Sequence, residues 1–158
     1  MKVTLMWIGK TIEKYLQEGE SNYVGRLSHY LNFELREIPA IKNTKGLSEL
    51  QIKQKEGELI VANLQMGDFI VLLDENGKKF SSVEFSNWIQ KQFLVSSFKR
   101  IVFVIGGAYG FDDVVYQRAG LKLSLSEMTF SHQMVRLIFL EQLYRAMTII
   151  KGEPYHHV

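Results

Sequence analysis

Apolar and polar residues change their spacing several times along this chain, and each change predicts an element. "KVTLMWIG" (residues 2–9) reads as a strand. Residues 11–31 bring Tyr15, Tyr23, Leu27 and Tyr30 or Leu31 near one side at helical spacing. "FELREI" (33–38) alternates apolar and polar residues, and Pro39 ends it. A polar, basic loop (40–46) leads to a second helix over 48–65, opened by a Ser48/Gln51 capping box. "DFIVLLD" (68–74) is a buried strand, and Glu75-Asn76-Gly77 reads as a turn. Ser81 and Glu84 form a second capping box, with Phe80 and Phe85 spaced as a hydrophobic staple, so a helix runs from there to about Ser97. "RIVFVIG" (100–106) is unbroken and apolar, as a strand buried on both faces would be. A short helix over 112–119, a strand over 121–126, a loop over 127–133 and a long helix from Gln133 to Ile150 complete the pattern.

Strands that alternate with helices predict an α/β fold: a mostly parallel sheet of five to six strands with helices on both faces. Residues 1–158 contain no linker, repeat or low-complexity stretch, and are expected to form a single domain.

Composition narrows the chemistry. The absence of cysteine removes disulfides, thiolate metal sites and thiol nucleophiles, including covalent pyrimidine C5 methylation. No metal is expected. Lys and Arg number 19 against 17 acidic residues, a formal charge of +2, which permits RNA contact without demanding it. Lys10, Lys14, Arg26, Lys42 and Lys45 are candidate RNA contacts, or simply a solvated basic face. "MKVTLMWIG" opens like a strand rather than a signal peptide, and no apolar run reaches the roughly 18 residues of a membrane span. A cytoplasmic location is the default expectation.

Candidate chemistry gathers late in the chain. Open parallel sheets bind ligands beyond the carboxyl ends of their strands. Three such ends stand out: Leu73-Asp74, Gly106-Gly107, and "LSEMTF" (125–130). "IVFVIGGAYGF" (101–111) is not a dinucleotide fingerprint, because Ile105 stands where the first glycine belongs. Asp112 and Asp113 would also repel a phosphate. The first strand ends in "WIGKTIEKY", without the Gly-rich turn of an ordinary Rossmann enzyme. Plain alternatives stand beside each feature. The glycines could be a tight turn, Asp74 a solvated turn residue, His132 a helix cap, and Glu141/Arg145 a simple i, i+4 ion pair.

The last helix, "MVRLIFLEQLYRAMTII", is apolar on nearly every side, which predicts burial on the sheet and against something further, such as a second subunit. Arg136 and Arg145 lie about half a turn out of phase and point in opposite directions.

Taken together, "LLDENGK", "FVIGGAYG", "LSLSEMTFSHQMVRLIFLEQLYRA" and "PYHHV" closely resemble the RlmH (YbeA-type) ribosomal RNA methyltransferases, of the SPOUT class. The resemblance extends over essentially the whole chain. It implies a C-terminal trefoil knot, a homodimer, and S-adenosylmethionine as methyl donor. It implies methylation of N3 of a pseudouridine in a stem-loop of large-subunit (23S) rRNA, on the assembled ribosome. Cofactor positions carry over onto Leu73, Gly106, Leu125, Ser126, Glu127, Met128, Thr129 and Phe130. Active-site positions carry over onto His132, Arg145, Tyr155 and His156. Many relatives have proline where this chain has Ser131, so this loop is expected to be less rigid.

These residue types suit that reaction. Arg145 would stabilise negative charge on the carbonyls flanking N3. His156 or His132 would take the N3 proton. Tyr155 would stack on a base, with a flexible tail closing over the site when RNA is present. Other readings are a SPOUT enzyme acting on tRNA, a flavodoxin-like nucleotide- or flavin-binding module, and a non-catalytic ribosome assembly factor.

Overall fold

The computed structural model describes residues 1–95 and 97–157. In chain order the elements are β1 (Lys2–Ile8), α1 (Lys14–Leu27), β2 (Asn32–Ile38), α2 (Glu49–Ala62), β3 (Asp68–Lys79), α3 (Ser82–Val95), β4 (Arg100–Ile105), α4 (Asp113–Tyr116), β5 (Leu121–Ser124) and α5 (Met134–Lys151). The strands form one five-stranded sheet in the order β2-β1-β4-β3-β5, and every pairing is parallel.

Strand periodicity sorts the core into two layers. Val3, Leu5 and Trp7 of β1, with Ile101, Phe103 and Ile105 of β4, pack against α1, α3 and α5. Met6, Val102, Val104, Ile70 and Leu72 point the other way, toward Ile60 of α2 and Val115 of α4. The continuous apolar run of β4 is therefore buried throughout, as a central parallel strand requires.

Both predicted capping boxes form. Ser48 Oγ accepts from Gln51 N at 3.1 Å, and Gln51 Oε1 accepts from Ser48 N at 2.8 Å. Glu84 N donates to Ser81 Oγ at 3.1 Å, and Ser81 N donates to the Glu84 carboxylate at 2.7 Å. The backbone N–H and the Ser81 hydroxyl hold that carboxyl below its usual pKa. The Phe80 and Phe85 rings lie 6.3 Å apart, closing the staple. The predicted end of this helix at Ser97 is not reached: Ser97 is non-helical, and Ser96 lies outside the described residues.

Two expectations need correction. Glu75-Asn76-Gly77 does not end β3. Leu73 and Lys78 both register with Leu123 of β5, so 74–77 bulge out of the ladder and pairing then resumes. Gly77 makes this possible, because a Cβ there would lie 2.5 Å from the Lys122 carbonyl carbon and 2.6 Å from Leu123 N. Secondly, α1 starts at Lys14 rather than at residue 11, since Gly9 turns the chain at φ +81° and the next residues are tied to α5. Helix α5 is flanked by α1 and α3 over the sheet, so part of its apolar surface is covered within its own chain, while Leu137, Ile138, Ile149 and Ile150 stay half-buried.

Arg136 shows how α5 is anchored. It is fully buried, with Nη2 donating to Ile8 O (2.9 Å) and Nη1 to Gly9 O (3.1 Å) and Thr11 Oγ1 (3.0 Å). Its guanidinium carbon lies 4.7 Å from the centre of the Trp7 ring. The Thr11 hydroxyl in turn donates to the buried Glu20 carboxylate. Arg136 thus caps the carboxyl end of β1.

Candidate active site

The carboxyl ends of β3, β4 and β5 surround a cleft of about 770 Å³. Seven of the eight sequence-predicted cofactor residues line it: Leu73, Gly106, Leu125, Ser126, Met128, Thr129 and Phe130. Glu127 does not; it points to solvent in an ion pair with Lys79. His132 lines the cleft as well. Partial desolvation, with the nearby Arg136 charge, lowers its pKa and favours the neutral imidazole.

The loop over 125–130 is built by short-range hydrogen bonds. Ser124 Oγ donates to Ser126 O at 3.1 Å, and Ser126 Oγ accepts from Met128 N at 2.9 Å. Ser131 Oγ accepts from Met134 N at 3.0 Å and closes the turn ahead of α5.

The opposite wall is the glycine segment. Gly110 N donates to Gly107 O at 3.2 Å, and Gly110 takes φ +79°, so "GAYG" is a tight turn. Gly107 abuts α2, where a Cβ would fall 2.4 Å from Glu56 Oε2. A Cβ at Gly106 would meet the Phe111 ring at 3.2 Å. Gly110's positive φ serves the turn, while side chains at 106 and 107 would press on the Phe111 ring and the end of Glu56. Asp74, expected as a solvated turn residue, stands in the cleft wall. It accepts from Tyr116 Oη at 2.5 Å and from Asn76 N at 2.8 Å. Burial and this carboxylate push the Tyr116 phenol up to about 12. Glu49, Asp74 and Glu75 line the cleft, and among the described residues no Lys or Arg does.

The remaining predicted residues lie elsewhere. Arg145 donates from Nη2 and Nε to Glu141 Oε1 (2.5 and 3.1 Å), confirming the i, i+4 pair. Its Nη1 lies 3.2 Å from His156 Nδ1, and its guanidinium carbon sits 4.8 Å from the Tyr155 ring centre. Arginine can only donate, so Nδ1 of His156 accepts and a neutral ring carries its proton on Nε2. Tyr155 Oη donates to Glu141 Oε1 (3.1 Å) and lies 3.3 Å from Tyr23 Oη. Burial and the Tyr23 hydrogen bond raise its pKa. The tail, expected to be loose, is thus docked on α1 and α5. His132 and Arg145 are separated by most of α5, roughly 16 Å from Met134 at about 1.5 Å per residue.

Residues 1–156 match the family described as "Predicted SPOUT methyltransferase". The chain belongs to the SPOUT methyltransferase family. Similar proteins named "Ribosomal RNA large subunit methyltransferase H" occur in Parabacteroides distasonis (57% identical), Christiangramia forsetii (59%) and Bacteroides fragilis (54%). Each match spans 157 residues and 99% of both chains.

Within this SPOUT fold, several contributors were not legible in the sequence. Glu56 reaches Gly107 from a helix distant in sequence, and Tyr116 orients Asp74 across 42 positions. Tyr23 meets Tyr155 across 132. Only the Glu141/Arg145 spacing was a usable signal. Among the described residues no cluster of three or more His, Cys, Asp or Glu could hold a metal, and no helix is long and apolar enough to cross a membrane.

Proposed function

We propose that this chain is a homodimeric, S-adenosylmethionine-dependent methyltransferase acting on N3 of a pseudouridine in large-subunit rRNA. Its substrate is the assembled ribosome in the cytoplasm. The observation that carries this is the cleft itself. It is walled by Leu73, Gly106 and residues 125, 126 and 128–130, and its lining holds the carboxylates Glu49, Asp74 and Glu75 and, among the described residues, no Lys or Arg. Such a lining suits a cofactor that is cationic and free of phosphate, and disfavours a nucleotide polyphosphate. When bound, S-adenosylmethionine supplies an activated methyl group on a sulfonium.

The chain's own residues do the rest. His132, whose pKa is lowered, presents its imidazole at the cleft and takes the N3 proton. Arg145 and the Nε2–H of His156 donate to the carbonyls flanking N3, where negative charge gathers as the proton leaves. His156 is therefore a donor in this scheme, and His132 the base. Tyr155, held edge-on to Tyr144 at 4.8 Å, offers a ring for the target base. Because α5 separates His132 from Arg145, one catalytic set requires the tail of a second copy at each cleft. The return of the chain from the edge strand β5 to the end of β1 is consistent with a C-terminal trefoil knot.

Membership of an enzyme family sets aside the flavin-module and assembly-factor readings. A tRNA substrate is separated by assay. Calorimetry should detect S-adenosylmethionine binding, and methyl transfer from radiolabelled cofactor should appear with ribosomes and not with tRNA. Transfer to tRNA alone would overturn the substrate; no cofactor binding would overturn the whole assignment.

A further inference from the structure

Beside the docked tail lies a second groove, of about 490 Å³, lined by Arg26, His29, Tyr30, Tyr144, Lys151 and Glu153. Arg26 comes from α1, and its guanidinium carbon sits 5.4 Å from the Tyr23 ring centre and 5.3 Å from that of Tyr144. Two aromatic rings hold the cation in place, and no carboxylate pairs with it among the described residues. Lys151, in the last turn of α5, also lacks a side-chain partner there. The groove's one carboxylate, Glu153, is engaged by the Tyr30 hydroxyl at 2.5 Å. Lys2, Arg36, Lys79 and Arg145 are paired with carboxylates, while among the described residues Lys10, Lys42 and Lys45 are not, so the mark of Arg26 and Lys151 is that they share one groove. A fixed guanidinium with all five donors free, next to an unpaired ammonium and an imidazole, is the donor set that a phosphodiester recognises. The groove also adjoins the reaction group, since the Tyr144 ring contacts Tyr155.

We propose that Arg26, His29 and Lys151 form a phosphate-binding groove that holds the RNA strand flanking the target nucleotide. This rests on the rRNA methyltransferase assignment above and locates its substrate contact. The acidic cleft repels RNA phosphates, and this basic groove receives them, so the strand passes beside the cofactor cleft and not through it.

The test uses the full-length protein and isolated large ribosomal subunits, with binding measured between about 50 and 200 mM salt. R26A and K151A should each weaken binding about tenfold and lower the slope of log affinity against log salt by about one, the mark of one lost phosphate contact. R26K should retain the slope. Cofactor affinity by calorimetry should equal wild type in all three, which also reports that they fold. Unchanged affinity and slope in R26A and K151A would overturn the groove. So would a change in R26A alone, because only Arg26 packs on other side chains and a purely structural role would spare K151A. Failure of the wild-type protein to bind cofactor or methylate subunits would sink the enzymatic assignment instead, a distinguishable result.

Discussion

His132 owes its role to its surroundings. Partial desolvation and the Arg136 charge lower its pKa. With His132 as the proposed base, the acidic limb of kcat/KM for methyl transfer should lie below that of an ordinary imidazole. H132A should remove that limb and slow transfer by about 10²–10⁴-fold, as loss of a general base does. A limb unchanged in H132A would assign the proton to another group. Asp68 shows the opposite balance. Its burial alone would raise the pKa. Hydrogen bonds from Arg100 (2.6 and 2.9 Å) and Gln65 N, with the guanidinium charge, outweigh burial and leave it lowered. A carboxyl with a depressed folded pKa contributes stability that is present above its unfolded value and lost as pH falls through the folded one. Urea denaturation should show that loss below about pH 4. D68N should cost about 3 kcal/mol at pH 7, by stranding Arg100, and flatten the acidic decline. His132 was already a candidate in the sequence, whereas Asp68 was not, because its partner Arg100 lies 32 positions away.

At the scale of elements, spacing was a good guide where the controlling interaction was local. The capping boxes at Ser48 and Ser81 and the Glu141/Arg145 pair all join residues three or four apart, and all formed as read. The bulge in β3 was missed because "DENGK" carries turn chemistry, while pairing with β5 decides whether the strand continues. Gly77 is the residue that permits it. G77A should lower stability by about 2–3 kcal/mol, because the Cβ would strike the Lys122–Leu123 backbone, which cannot move aside. A urea midpoint equal to wild type would contradict the bulge geometry. The docked tail gives another element-level expectation. Deleting residues 154–158 should abolish methyl transfer and leave cofactor affinity nearly intact, because the tail contacts α1 and α5 and does not line the cleft. Equal loss of both would place the tail in the cofactor site.

At the scale of the molecule, the separation of His132 from Arg145 makes a test of the dimer. H132A and R145A should each be inactive alone. Mixed after subunit exchange, they should recover about a quarter of wild-type activity, since half the dimers are mixed and each carries one intact site. No recovery, with exchange demonstrated, would mean both residues act from one chain.

Alternating apolar segments determined the α/β class, the single sheet and the identity of nearly every element, because strand and helix periods are local properties. The residues proposed to hold the cofactor stood out for a related reason: they lie at or just beyond strand ends, and a parallel sheet collects its carboxyl ends on one edge. Tertiary structure alone decided that Arg136 braces β1 while Arg145 serves the tail, and that Asp74 is a wall of the cleft. It also decided that the tail and the cleft stand apart. Those outcomes rest on contacts such as Arg136 to Ile8 and Tyr23 to Tyr155, more than a hundred positions apart in the chain. Local spacing carries no information about which side chains will meet at such distances.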